Sequence, residues 1–449
     1  MISKSKNTFE EVNQYNKNTF ADVFFVKMFA FVKVFHYICS GNYKISVMEA
    51  ADIQPLIKDY HRKLMATDLR FKRYLYNQIN WDVRLLGIKG ARGVGKTTLL
   101  LQHIKETFNN IDDVLYVSLD NLWFQNHSVL DLVEYLYTHG VTHIYFDEVH
   151  KYEDWTALLK HLYDNYPDLN IVYTGSAMLA IDNSKDDLSR RQSLYTLHGL
   201  SFREYLAYEG IAEFESLTLE RLLSEHVKYA MDVVSKIKVL KHYDDYLNNG
   251  YYPFYKDAGN DYLMRVQEVA QLVIDSDIQS VDKTITYPTL LKIKKLLMVI
   301  AENVPLEPNI NKLAAQLESG RDQTLKMLYM LDKAALLLLL TDKVKDYKHL
   351  TGPKKVYLNN TNLMNALGSK ISKGTMRETF FANQVGAVAS VTMPKQGDFM
   401  ADGKYLFEVG GAGKTFDQIA DLPNSYLAVD DTETGSGCRI PLWMFGFLY

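Results

Sequence analysis

The feature that most constrains the fold is an alternation of short apolar runs with amphipathic stretches between Val83 and Gly199. Continuous apolar runs are typical of strands buried on both faces, and the stretches between them have the pattern of covering helices. The predicted strands are Val83–Lys89, Val114–Leu119, Thr142–Asp147, Ile171–Gly175 and Ser193–Leu197. The predicted helices include Thr98–Thr107, Val129–Tyr137 and Asp154–Tyr163. This order predicts an α/β fold with a parallel sheet covered on both faces.

A glycine-rich stretch, GARGVGKTT, follows the first predicted strand and opens the first predicted helix. It matches G-x-x-x-x-G-K-[ST], whose glycines let the backbone N–H groups converge on phosphate oxygens at a helix N-terminus. In such a loop Lys96 bridges the β- and γ-phosphates, and the Thr97 hydroxyl is a ligand of Mg²⁺. The predicted nucleotide contacts are Gly90, Ala91, Arg92, Gly93, Val94, Gly95, Lys96, Thr97 and Thr98.

Two acidic residues close the third predicted strand, in VTHIYFDEVH. Asp147 is expected to hold Mg²⁺, and Glu148 to orient and polarise the attacking water. Because a phosphate loop is present, we favour this interpretation over a solvated acidic pair at a strand end. A separate acid next to the metal ligand points to hydrolysis of the nucleotide instead of transfer of its phosphate to another acceptor. Thr174, at the end of the fourth strand, is predicted to sense the γ-phosphate, with a simple polar strand end as the alternative.

The nucleotide is predicted to be ATP, because no N-K-x-D or T-K-x-D motif that reads guanine occurs in the chain. A catalytic arginine is expected to stabilise charge in the transition state. Arg190 and Arg191 are the candidates and Arg203 is the reserve, while surface charge is an equally good interpretation of each. The arginine could also come from a neighbouring subunit.

Four motifs resemble a large family of prokaryotic AAA-type P-loop ATPases defined mostly by sequence: GIKGARGVGKTTLLLQHI, IYFDEVHKYEDW, IVYTGSAML and LHGLSFREYL. The resemblance covers the chain from about Met48 to its end. It implies ATP binding and hydrolysis with Mg²⁺, in the additional-strand, catalytic-glutamate class of P-loop NTPases. It also implies a winged-helix region and a C-terminal domain similar to restriction nucleases.

These features predict a P-loop NTPase core followed by a helical linker, a winged helix and a small α/β domain resembling nucleases. The predicted boundaries are 1–47 for an N-terminal extension, 48–215 for the ATPase domain, 216–285 for the linker, 286–365 for the winged helix and 370–449 for the last domain. The extension is either native or upstream of a start at Met48. Its apolar stretch is interrupted by Lys27 and Lys33, which argues against a membrane span.

Net charge and cysteine content limit which partners and which cellular location are expected for this protein. A net charge of −4 argues against a surface that coats nucleic acid, and two cysteines far apart predict no disulfide framework and a cytoplasmic location. Residues 286–360 nevertheless hold twelve Lys and Arg against seven Asp and Glu, so the winged helix could contact DNA. The alternative is a protein-contact module or a homo-oligomer. The predicted DNA contacts are Arg321, Gln323, Thr324, Lys326, Lys354 and Lys355.

The last domain carries three acids with the order of a restriction-type nuclease site, namely Glu378, Asp398 and Glu408. Such acids would bind a divalent cation, and a lysine two residues after the last acid would orient water. Position 410 is glycine instead, and neither Lys404 nor Lys414 has the matching spacing. An active nuclease and a domain retained for docking both stay open. The GAGKT beside Glu408 is predicted to be a glycine-rich turn, because too little chain follows it to build a second nucleotide-binding sheet.

Overall fold

The computed structural model describes residues 48–175, 188–282, 284–342 and 352–449. The chain divides into two units with the boundary between Gln54 and Pro55. Apart from residues 50–54, which begin the first helix, the features described below belong to the second unit, Pro55–Tyr449. In the described part of the chain, no helix is both long and apolar enough to span a membrane.

A five-stranded parallel sheet forms the centre of the N-terminal half, as predicted. Its strands are β1 (Leu85–Lys89), β2 (Val114–Ser118), β3 (His143–Asp147), β4 (Asn170–Gly175) and β5 (Ser193–Thr196). The order across the sheet is β2-β3-β4-β1-β5. Strand β4 therefore lies between β1, which leads into the phosphate loop, and β3, which ends in Asp147. This is the additional strand that the sequence predicted.

Helices connect these strands within a few residues of the predicted bounds. They are α1 (Ala50–Ala66), which precedes the sheet, α2 (Lys96–Thr107), α3 (Val129–Thr138) and α4 (Trp155–Asn165). All carboxyl ends of the parallel strands lie at one edge of the sheet, and this edge places the ends of β1, β3 and β4 together.

The region after the sheet is helical, as predicted. Its helices are α5 (Phe202–Tyr208), α6 (Leu219–Lys236), α7 (Val239–Asn249), α8 (Tyr255–Ala258), α9 (Tyr262–Leu272) and α10 (Gln279–Val281). A π-helical segment, Val273–Ile278, joins α9 to α10. Short 3₁₀ turns lie at Tyr74–Asn77, Ile111–Asp113, Leu122–Gln125, Val149–Lys151, Gly259–Asp261 and Leu442–Phe447.

Three helices and a pair of antiparallel strands come next, in the order that a winged helix requires. They are α11 (Tyr287–Ala301), α12 (Ile310–Gln316), α13 (Arg321–Lys333), β6 (Leu337–Leu340) and β7 (Lys355–Leu358). The winged-helix assignment itself stays a prediction. One expected DNA contact is wrong, because Thr324 is completely buried and donates to the Gly320 carbonyl at 3.0 Å.

The C-terminal part contains α14 (Thr361–Leu367), α15 (Lys373–Gly386) and a second sheet with the order β12-β11-β10-β9-β8. Its strands are β8 (Val391–Thr392), β9 (Phe399–Ala401), β10 (Tyr405–Gly410), β11 (Ser425–Val429) and β12 (Arg439–Pro441). The sheet is mixed, since β10, β11 and β12 are parallel while β8, β9 and β10 are antiparallel. The stretch 416–421, between β10 and β11, forms turns.

The C-terminal sheet has a small cluster of its own around Leu406, Leu427 and Val429, but most of its buried apolar residues belong to a larger shared core. One hydrophobic cluster joins α5, α6 and α7 to α15, β9, β10 and the last 3₁₀ turn. Phe202 contacts Tyr246 and Phe447, and Phe380 contacts Tyr243. The residues after 370 are therefore packed on the helices that follow the first sheet.

Candidate functional site

The phosphate loop has the backbone geometry that its sequence predicted. Gly95, the residue before α2, has φ +96°, a left-handed conformation that side chains other than glycine rarely adopt. Gly90 approaches the neighbouring backbone so closely that a Cβ atom there would lie 2.3 Å from the Leu197 carbonyl oxygen. The loop thus delivers the chain into α2 with the helix N-terminus facing the cavity, where anions bind favourably.

Lys96 begins α2 and is only 5% exposed. Its Nζ donates to the carbonyl oxygens of Gly90 at 2.9 Å and Ala91 at 3.0 Å, so the loop's own backbone holds the side chain. Burial lowers the pKa of Lys96, and the negative charges of Glu148 and Asp147 act against that shift. A phosphate would offer the ammonium stronger charged partners than these two carbonyls.

Asp147, at the end of β3, accepts hydrogen bonds from three hydroxyl groups. The Thr97 hydroxyl lies 2.6 Å and the Tyr116 hydroxyl 2.8 Å from Oδ2, and the Thr174 hydroxyl donates to Oδ1. Hydroxyl and carboxylate oxygens are the hard ligands that Mg²⁺ prefers, and Mg²⁺ usually keeps several waters besides them. Thr97 and Asp147 therefore fit the metal role predicted for them. No group of three or more His, Cys, Asp or Glu suited to holding a metal occurs in the described residues.

Glu148 has a left-handed backbone, with φ +53°, which is uncommon for a residue other than glycine. Its N–H donates to the Thr174 hydroxyl at 3.2 Å, and its side chain is 17% exposed. Residues other than glycine with a left-handed backbone conformation are concentrated at functional sites, where the surrounding structure holds them in that conformation. Thr174 thus contacts both acids from the adjacent strand β4, while its role as a γ-phosphate sensor stays a prediction.

A cavity of about 800 Å³ adjoins the phosphate loop, within the range of small-molecule sites. Gly93, Lys96, Thr97 and Glu148 lie in its wall. The wall also contains the aromatic side chains of Phe71, Tyr208 and Phe254. The rings of Phe71 and Tyr208 are 4.9 Å apart. Sequence reasoning missed these rings, because they come from chain segments that share no motif.

Arg73 was also missed. It is 5% exposed, its Nη1 donates to the Val94 carbonyl in the phosphate loop at 2.5 Å, and its Nε donates to Glu204 at 3.0 Å. Glu204 is the acid of the Ser201 capping box of α5. Arg73 therefore links the phosphate loop to α5 through Val94 and Glu204. No local signal in the sequence could indicate a partner 131 residues away.

The arginines expected to act in catalysis are placed as follows. Arg191 forms an ion pair with Asp164 on α4, with Nε 2.9 Å from Oδ1, and Arg190 is exposed. Arg203 donates to the main-chain oxygens of Tyr449 and Phe214. A catalytic role for Arg190 or Arg191 stays a prediction. Ser176, next to the predicted sensor, lies outside the described residues.

The charges of Glu378 and Glu408 act on Asp398, and these two glutamates have lysine partners. Glu378 accepts from Lys355 at 2.8 Å, and Glu408 accepts from Lys414 at 2.6 Å. Burial raises the pKa of Asp398, and the charges of Glu378 and Glu408 add to that effect against a hydrogen bond from the Val409 amide. Lys414 therefore contacts Glu408, although its distance from Glu408 in the sequence does not match the spacing of the nuclease pattern. Lys355, which was predicted to contact DNA, donates to Glu378 instead.

The geometry defines a P-loop nucleotide-binding site at the carboxyl edge of a parallel sheet. Residues 82–206 match the family model described as an AAA domain. The match and the strand order support a P-loop AAA-type fold for this segment.

Similar proteins were found by sequence and by structure. The chain is 29% identical over 267 residues to the Uncharacterized protein MJ1637 of Methanocaldococcus jannaschii, and the match covers 56% of each chain. The chain therefore spans about half the length of that relative. AMPPCP-bound DnaA from Aquifex aeolicus is 14% identical, with a TM-score of 0.24 and coverage of 58% of this chain and 84% of that one. The S. cerevisiae Hsp104–ADP complex is 14% identical, with a TM-score of 0.27 and coverage of 61% and 41%.

Proposed function

We propose that this protein binds ATP with Mg²⁺ and hydrolyses it at the phosphate loop. The observation that carries the proposal is the contact of Thr97 with Asp147 at 2.6 Å, beside Lys96 and Glu148. These four side chains are the hydroxyl, the carboxylate, the ammonium and the acid that phosphoryl transfer to water requires. Lys96 and Thr97 come from the start of α2, and Asp147 and Glu148 come from the end of β3.

Each residue has a defined part in the proposed reaction. Lys96 and the first N–H groups of α2 bind the β- and γ-phosphate oxygens and stabilise charge that moves towards the leaving group. Thr97 and Asp147 would hold Mg²⁺, which supplies positive charge to the phosphate oxygens when it is bound. Glu148 orients a water in line with the γ-phosphorus and takes its proton as the new P–O bond forms and the bond to ADP breaks. Thr174 fixes the backbone of Glu148, as its 3.2 Å contact with the Glu148 N–H indicates.

Two substitutions test this proposal by separating binding from hydrolysis. Lys96→Ala is expected to abolish ATP binding, and Glu148→Gln to bind ATP but release phosphate at least about 100-fold more slowly. Binding is measured with a fluorescent ATP analogue and turnover by phosphate release. Lys160→Ala and Glu134→Gln, at exposed positions on α4 and α3, are the matched controls. Unchanged turnover in Glu148→Gln contradicts the role of this residue.

We further propose that the nucleotide state changes how the expected winged helix and the C-terminal sheet are arranged. The linker supports this because it is ion-paired with the winged-helix region twice, through Lys294 and Asp275 at 2.7 Å and through Lys326 and Asp282 at 2.7 Å. An ATPase assay with and without duplex DNA tests whether a nucleic acid is the partner. Stimulation that weakens with salt supports DNA, and no stimulation supports a protein partner or a second copy.

A second candidate function is an ATP-gated nuclease, and the contact between Lys414 and Glu408 favours it. The nuclease pattern has a lysine at position 410, where this chain has glycine. Lys414 would take the role of that lysine, since its charge also interacts with Asp398. Cleavage of plasmid DNA with Mg²⁺ or Mn²⁺ that disappears in Asp398→Ala supports it. No cleavage with either metal, with or without ATP, leaves the C-terminal sheet as a docking unit.

A further inference from the structure

His150 lies between two carboxylates beside the nucleotide site. Its Nε2 is 3.5 Å from Oε2 of Glu148 and 3.6 Å from Oδ1 of Asp277. The imidazole is fully buried and the Asp277 side chain is 2% exposed. The proposed hydrolysis involves Glu148, but neither the histidine two residues later nor the acid that faces it takes part in it.

Asp277 belongs to the π-helical segment Val273–Ile278 between α9 and α10. Single π turns inside helices change the direction of the side chains and are frequent at functional sites. Here the segment turns Asp277 inward, where Lys151 lies 3.2 Å away, while Asp275 points outward to Lys294 on α11. One short segment therefore connects the surroundings of Glu148 to the first helix of the expected winged helix.

The two carboxylates compete for one donor. A neutral imidazole carries a single N–H, and hydrogen bonds of normal strength require about 2.7 to 3.2 Å. At 3.5 and 3.6 Å the Nε2–H is nearly equidistant from both acceptors, so it can form a good hydrogen bond with only one of them at a time.

We propose that His150 is a positioning residue that exchanges its Nε2–H between Glu148 and Asp277, and that the π-helical segment thereby controls hydrolysis. When His150 donates to Glu148, the carboxylate is held and its electron pair is engaged, so it is a poorer base for water. When Asp277 accepts the N–H instead, Glu148 is released to act. This inference rests on the proposed hydrolysis of ATP, because it assigns the control of that step.

Steady-state phosphate release by the full-length protein tests the competition. Asp277→Asn weakens the competing acceptor, so kcat is expected to fall by at least about tenfold, the factor for one hydrogen bond to a charged group, with little change in KM. His150→Leu removes the donor, so kcat should not fall, and adding Asp277→Asn to it should have no further effect. His226→Leu, a buried histidine on α6, is the control for loss of stability. An equal fall of kcat in His150→Leu, or no fall in Asp277→Asn, overturns the proposal.

A second measurement does not depend on turnover. The ring ¹⁵N and N–H resonances of His150, assigned with His150→Leu, are expected to shift in Asp277→Asn and to shift in the opposite sense in Glu148→Gln. Resonances that ignore both substitutions refute the exchange even if the wild type hydrolyses ATP. A wild type that releases no phosphate refutes the proposed function and the control of it together, whatever the ring resonances show.

Discussion

Arg73 and Glu204 form an ion pair that is almost fully buried, with side chains 5% and 2% exposed. Arg73 also donates to the carbonyls of His198, Gly199 and Val94. A buried charge whose partner is removed keeps its desolvation cost without compensation. The pair is therefore the point at which the phosphate loop depends most strongly on a residue outside it.

Arg73→Met is expected to lower the free energy of unfolding by about 3–5 kcal/mol, because it leaves Glu204 buried and unpaired. Urea unfolding followed by circular dichroism measures the change. Arg221→Met is the matched control, since its ion pair with Glu225 is about half exposed on both sides and should not matter measurably. An equal effect of the two substitutions would show that burial of the Arg73 pair is not the cause.

Single residues were predictable where a motif fixes their chemistry. Lys96, Thr97, Asp147, Glu148 and Thr174 meet as their spacing indicated. Arg73, His150 and Asp277 were not predictable, because each acts through a partner that only the folded chain brings near. His150 gave a weak signal, a histidine directly after an acidic strand end, but nothing in the sequence points to Asp277.

Among the elements, α2 depends on the conformation of the residue that precedes it. Gly95 has φ +96°, and Gly140, which follows α3, has φ +89° with no atom within 4 Å of an added Cβ. An alanine at either position has the same backbone strain of about 1–2 kcal/mol. Only Gly95 also sets the direction of the first N–H groups of α2.

Gly95→Ala is therefore expected to abolish ATP binding, whereas Gly140→Ala should destabilise the protein by a similar amount and bind ATP normally. Calorimetric titration with ATP and Mg²⁺ measures binding, and thermal unfolding measures the shared strain. Loss of binding in both variants would assign the effect to general instability instead of to the loop.

Strands were predicted well where burial on both faces gives a continuous apolar run that fits only a central strand. The five strands of the first sheet appear within two residues of their expected bounds, since their apolar runs have no polar alternation. The π-helical segment has no sequence signature, since its residues suit an α-helix equally well.

Over the whole molecule, the C-terminal sheet and helices α5–α7 share one hydrophobic core. Phe381, on α15, is fully buried and contacts Phe399, Phe407 and Phe445. Boundaries drawn from composition treat 370–449 as separate, since a sequence shows where patterns change but does not show which apolar faces pair. Stability of the last segment is thus expected to be linked to that of the helices before it.

Phe381→Ala is expected to cost about 3–5 kcal/mol and to shift the urea transition seen by far-ultraviolet circular dichroism together with that seen by tryptophan fluorescence. Val388→Ala, at a site 45% exposed just after α15, should change stability by about 0.5 kcal/mol or less. Two separate transitions, with only one displaced by Phe381→Ala, would contradict a shared core.

The wall of the cavity beside the phosphate loop joins Gly95 to Pro253, which is 158 residues later in the chain (253 minus 95). A ribosome that makes the chain completes all five strands of the first sheet by Thr196, before this later wall exists. Domains generally fold as units during synthesis, starting from the N-terminal end. The sheet can thus form on the nascent chain while its phosphate loop is still open to solvent, and the cavity beside the loop is complete only when the segment around Pro253 has left the exit tunnel.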